Sequence, residues 1–91
     1  MRESKILVIN RLGLHARAAA QLVRLAAKFK SGVTLFREDR NVFANAKSIL
    51  SVLALAACKG TELLVKVEGE DEDVAIKEIE TLFANGFGES L

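Results

Sequence analysis

The residues best suited to chemistry crowd into one short stretch, NRLGLHARAAA at 10–20, which holds the single histidine, His15, with Arg11 and Arg17 on either side. An imidazole supplies a nucleophilic ring nitrogen. Gly13 and Leu14 precede it and an alanine-rich segment follows, so the ring is expected at or just before the first turn of a helix. The first N–H groups of a helix lack intrahelical partners, and with the macrodipole they favour an anion, phosphate above all. Arg17, two residues on, adds a planar, permanently charged fork suited to phosphate oxygens. The stretch therefore offers a nucleophile with an anion cradle around it. Taken alone, a histidine near a helix start is most often a solvated or capping side chain, so the reading depends on its surroundings.

Those residues need a scaffold. Residues 5–9 form a short apolar run rich in β-branched side chains, closed by Asn10, and read as a first strand. From 16 to 30 the period changes: Ala19, Leu22, Val23, Ala26 and Phe29 share one face, giving an amphipathic helix that Ser31 and Gly32 end. A strand at 33–37, a polar turn at 38–41 and a short strand at 42–44 make a hairpin. Residues 45–59 read as a second, shorter helix, with Asn45 and Ser48 both suitable N-caps and Gly60 a natural stop. Leu63, Val65 and Val67 alternate with Glu62, Leu64 and Lys66, the signature of a strand with one buried face, and Gly69 breaks it. Carboxylates at 70–73 open a final helix whose buried stripe is Ala75, Ile79, Leu82 and Phe83, and Asn85 and Gly86 end it. Their contiguity at a helix start makes dipole compensation a better account than a metal site, and no metal is expected. Four short strands with the helices segregated to one face make an α+β two-layer domain.

Length and composition narrow the function. The 91 residues suit one domain spanning 1–91. Thirteen basic residues against twelve acidic leave a net charge of +1, which argues against an electrostatically driven nucleic-acid binder, and with no Tyr or Trp the best stacking platforms are missing. Cys58 is alone, so neither an internal disulfide nor a cysteine-rich metal site can form, and a small buried hydrophobe with an inert thiol is expected. The apolar run near the N-terminus is too short for a secretory signal and no stretch reaches membrane-spanning length, so a cytoplasmic protein without membrane contact is expected.

Over essentially its whole length the chain resembles the HPr family, the small phosphocarriers of the bacterial phosphotransferase system. The most specific part is Gly13, Leu14, His15, Ala16 and Arg17, similar to the family's G-[LIM]-H-A-R stretch after a first strand, while Lys47, Ser48 and Ile49 resemble a regulatory site that opens the second helix in many members. The resemblance implies an open-faced β-sandwich: a four-stranded antiparallel sheet of order 1-4-2-3 with three helices on one face. It implies that His15 accepts a phosphoryl group from enzyme I, with phosphoenolpyruvate as the ultimate donor, and passes it to an acceptor IIA protein in sugar transport or its regulation. Arg17 and the amides of Ala16, Arg17 and Ala18 would hold the phosphate, and Ser48 would be a phosphoserine addressed by a serine kinase and phosphorylase. The protein would then be a carrier and not an enzyme, without cofactor, acting as a monomer. Two departures stand out: Ala18 follows Arg17 where the family usually has proline, adding a backbone donor and loosening the first turn, and the turn after Arg37 is longer than in many members.

Leu14, Ile49, Leu50 and Leu53 cannot all face the sheet, and the last three match positions that in the family form an apolar docking patch beside the histidine. Ile49 and Leu53 suit the core equally well, whereas Leu50 is expected to be exposed. Two other function classes stand beside the carrier. A small α+β hydrolase would need a glycine-rich phosphate loop that the chain lacks, and a binding or structural domain would leave His15 incidental. Within the family, Lys47, Ser48 and Ile49 look like the sugar branch, and the ending at 82–87 is similar to nitrogen-branch, NPr-like regulators.

Overall fold

The alternation at Leu63, Val65 and Val67 sets the axis of the fold, because β4 (Glu62–Glu68) buries all three and is paired along both edges. The computed structural model describes residues 1–89. β4 pairs antiparallel with β1 (Arg2–Leu7) on one side and β2 (Gly32–Arg37) on the other, and β3 (Val42–Asn45) pairs with β2, so the order is β1-β4-β2-β3. The register places Ile6 opposite Leu63, Leu35 opposite Val65, and Ala44 opposite Leu35. A one-residue slip would turn this entire inward set to solvent, so the pairing is strongly specified. Helices α1 (Ala16–Ala26), α2 (Ile49–Ala54) and α3 (Glu72–Ala84) cover the inward face, with Leu22, Val52, Ile79 and Phe83 buried against it. On the open face Phe36 and Phe43 stack with ring centroids 4.2 Å apart.

Several element ends differ from the sequence reading, each for a tertiary reason. The first strand lies earlier than 5–9: it runs through Leu7, and beyond it Val8 exchanges bonds with the Gly60 and Thr61 backbone at 2.8 and 2.9 Å. The first helix stops at Ala26 and not at 30, because the Lys30 and Ser31 amides donate to the Asp71 carboxylate at 2.8 and 3.0 Å. The second helix keeps only six residues. The carbonyls just beyond it, of the C-cap Leu55 and of Ala56, accept from the buried Arg37 guanidinium at 2.8 Å each, and Ala56 turns left-handed at φ 50°, well before Gly60. Ser48 caps that helix, its hydroxyl accepting from the Ser51 amide at 3.4 Å, while Asn45 instead ends β3 and accepts from the Lys47 amide at 3.0 Å. Cys58 is exposed, not buried: it lies on the turn that follows α2, where Gly13 packs on its backbone.

Asp71 illustrates how the acidic run is used. It makes no cap bond to its own helix; its carboxylate ties the α1 exit through Lys30 and Ser31. Glu72 takes the local role, accepting from the Gly69 amide at 3.1 Å.

Candidate functional site

His15 is placed by a loop that has almost no freedom. Asn10, 1% exposed, donates its side-chain amide to the Gly13 carbonyl at 2.8 Å, and the Gly13 amide returns to the Asn10 carbonyl at 3.1 Å. Gly13 adopts φ +67° and lies so near the post-α2 turn that a Cβ there would meet the Ala57 carbonyl oxygen at 2.5 Å. The next residue, Leu14, donates its amide to that same carbonyl at 2.8 Å and buries its side chain in the core.

His15 then becomes the N-cap of α1 at φ −75°, ψ −179°, with no side-chain cap bond, so its ring is not spent on the helix. Its carbonyl accepts from Ala19 at 2.8 Å, which leaves the amides of Ala16, Arg17 and Ala18 ahead of the first helical bond. Those amides and the dipole of an eleven-residue helix present a positive end beside a ring that is 25% exposed.

The structure adds a residue that sequence reasoning missed. Nε2 of His15 is hydrogen-bonded to Oε2 of Glu89, and Oε1 of the same carboxylate accepts from the Asn10 amide at 3.1 Å. The Asn10 amide and then the His15 contact hold the Glu89 carboxyl below the usual carboxylate range, with Arg17 adding a smaller pull. Glu89 is 74 residues from His15 in the chain, and no local spacing announces the pair. The one hint is the GFG triplet ahead of it, which reverses the chain after α3.

Other expected site residues fall into two groups. Arg17 is exposed and, with Arg11, Leu12 and Glu89, lines a depression of ≈ 260 Å³. Ala18 is fully buried as a side chain, so only its amide is available to a ligand. Of the four docking candidates, Leu50 is 77% and Ile49 40% exposed, and Leu53 packs half-buried against the core while lining a groove of ≈ 330 Å³ with His15 and Leu12. Leu14 is 4% exposed and packs mainly in the core, yet it lines the same groove, where the more exposed Leu12 lies with it beside His15. Lys47 is committed structurally, its ammonium donating to the Phe29 carbonyl at 2.8 Å. A wider depression of ≈ 520 Å³ beside Glu38 and Asp39 shares only Cys58 with the histidine groove. Among the described residues no cluster of three histidine, cysteine or acidic side chains is arranged to hold a metal ion.

A family profile described as "PTS HPr component phosphorylation site" matches residues 2–85. The chain belongs to the HPr family. It is 48% identical over 89 residues to the phosphocarrier protein HPr of Xylella fastidiosa (strain 9a5c), covering 98% of each chain. It is 50% identical over 82 residues to that of Treponema pallidum (strain Nichols), covering 90% of this chain and 91% of the relative. The crystal structure of HPr-C-His from Thermoanaerobacter tengcongensis superposes with a TM-score of 0.94 at 40% identity, covering 100% of both chains. As an HPr protein the chain is a phosphocarrier of the phosphotransferase system, and the sheet order and three-helix layer are those of an HPr fold. No helix among the described residues is long and apolar enough to cross a membrane.

Proposed function

We propose that His15 is the phosphoryl acceptor, receiving the group from enzyme I and passing it to an acceptor IIA protein. The observation that carries this is the placement of His15 as an N-cap whose ring is free of the cap, beside three amides and Arg17. With Nε2 engaged by Glu89, Nδ1 is the nitrogen open to attack. Its lone pair bonds to phosphorus as the bond to the donor breaks, and the amides of Ala16, Arg17 and Ala18 with the Arg17 guanidinium hold the phosphoryl oxygens during the exchange. Those backbone donors are fixed before the group arrives, so they stabilise it without reorganising. A nitrogen–phosphorus bond is labile, which suits a relay: the same groups receive the phosphate and release it.

Enzyme I and the acceptor dock on Ile49, Leu50 and Leu53 together with Leu12, an apolar surface that adjoins the His15 groove. Ser48, at the start of α2, is the regulatory phosphorylation site on this reading, its charge falling beside that surface. Incubation with enzyme I and labelled phosphoenolpyruvate tests the acceptor. Wild type takes up acid-labile, base-stable label, and His15→Ala takes up none while keeping its fold. Stoichiometric label on His15→Ala would overturn the assignment.

A further inference from the structure

Phe87 stands at φ +57°, in a left-handed region that a bulky side chain rarely adopts, between Gly86 at +60° and Gly88 at +74°. Such a conformation persists only when its surroundings impose it. Here the Phe87 ring is buried edge-on against Phe83 with centroids 5.0 Å apart, and the Phe87 carbonyl accepts from the Gln21 amide at 3.2 Å. The segment after α3 is thus folded back and fastened to α1, and its next side chain but one is Glu89. The Glu89 carboxylate is in turn gripped by Asn10, a buried residue of the His15 loop. Two separate anchors, one aromatic and one polar, therefore deliver a carboxylate to Nε2 of His15.

We propose that Glu89 is the positioning residue of phosphoryl transfer: it holds the proton on Nε2, so that Nδ1 carries the lone pair, and it balances the charge the ring acquires. The inference rests on the phosphocarrier reading and deepens it. Neutral His15 attacks through Nδ1; the Nδ1–P bond forms as the donor's bond to phosphorus breaks and that electron pair leaves with the donor. The imidazole, still protonated at Nε2, becomes a phosphoimidazolium whose positive charge faces the Glu89 carboxylate. On onward transfer the Nδ1–P bond breaks, its electron pair returns to Nδ1, and the ring is neutral again with the Nε2 proton in place. No proton has to enter or leave in either direction. A carboxylate behind the ring, with a buried amide behind the carboxylate, is the arrangement by which histidines are held in one tautomer and orientation elsewhere in catalysis.

The test uses the full chain and two phosphoryl donors. With phosphoramidate, a small donor that needs no docking, nitrogen and phosphorus NMR report which ring nitrogen is modified. Wild type is modified at Nδ1, Glu89→Ala at both nitrogens because Nε2 is uncovered, and Glu89→Gln, whose amide oxygen still accepts from Nε2–H, regains the Nδ1 preference. With enzyme I and phosphoenolpyruvate, Glu89→Ala accepts phosphate about tenfold more slowly than wild type. Glu89→Ala with wild-type nitrogen selectivity, or with the wild-type rate from enzyme I, overturns the proposal. If wild type takes no phosphate from enzyme I, the carrier reading fails by itself, while the phosphoramidate selectivity still reports whether Glu89 holds the ring.

Discussion

Gly13→Ala isolates the contact that sets the position of His15. The new methyl would lie 2.5 Å from the Ala57 carbonyl oxygen and 2.7 Å from the Cys58 Cα, and both are backbone atoms that cannot swing aside. Restoring an ordinary 3.4 Å contact moves the loop by about 1 Å relative to the turn after α2. That shift also loosens the 2.8 Å bond from the Leu14 amide to Ala57. Left-handed backbone at an alanine costs about 1–2 kcal/mol and overpacking about 1–3 kcal/mol, so the destabilisation is roughly 2–5 kcal/mol. At about 4–8 °C per kcal/mol for a domain of this size, the Tm falls by roughly 8–40 °C. Gly60→Ala is the matched control: Gly60 also has positive φ, +93°, but nothing lies within 4 Å of its Cβ direction. It should carry the backbone cost alone, about 1–2 kcal/mol. Below both melting transitions, Gly13→Ala should in addition slow phosphoryl transfer to His15 by about a hundredfold, because a displacement of about 1 Å spoils the attack geometry. Thermal unfolding followed by circular dichroism, with labelling from enzyme I at 15 °C, measures both effects. Equal Tm losses for the two variants, or wild-type transfer by Gly13→Ala, would refute the claim that close packing of the loop positions the ring.

Arg17→Lys keeps the charge but loses the planar fork, so transfer to and from His15 should slow by about tenfold with the Tm unchanged within about 1 °C, as stopped-flow transfer and melting would show. Ser48→Ala loses one long cap bond on a six-residue helix, a cost at the low end of the capping range, about 0.5 kcal/mol, while Ser48→Asp should raise the apparent KM for enzyme I severalfold more than Ser48→Ala does. Equal kinetics for the two would leave Ser48 with its capping role only. Asp71 is held down to about 2, first by the Ser31 hydroxyl and then by the Lys30 amide. A carboxylate depressed in the folded state contributes stability in full above its ordinary value of 3.8 and loses it as pH falls toward about 2. Tm measured across that window should therefore drop steeply in wild type and much less in Asp71→Asn.

The features legible in the sequence are those encoded by local period and neighbouring residue types. Leu63, Val65 and Val67 alternate because one strand face is buried, and they are buried in the fold. Gly13 ahead of His15 and the alanine run after it announce a turn entering a helix, and that helix begins at Ala16. Ser48 has the hydroxyl that an N-cap needs. Where the helices stop was decided elsewhere: the Lys30 and Ser31 amides are taken by Asp71, about forty residues on, and the Leu55 and Ala56 carbonyls by Arg37 from β2. A backbone group captured by a distant side chain leaves no periodic trace, so the apolar pattern ran on past the true ends. The same holds for Leu14, which packs mainly in the core and shows only an edge to the His15 groove, and for Cys58, exposed by the turn that Gly13 packs upon. Glu89 is the extreme case. A carboxylate near the end of the chain means nothing to a histidine near its beginning until the antiparallel 1-4-2-3 sheet brings α3 beside α1 and the left-handed turn at Phe87 sends the chain back across the helix start. Local sequence determines which residues form each element and which face is apolar; which side chain closes on which distant backbone or ring depends on the order in which the strands pair, and only the tertiary structure decides that.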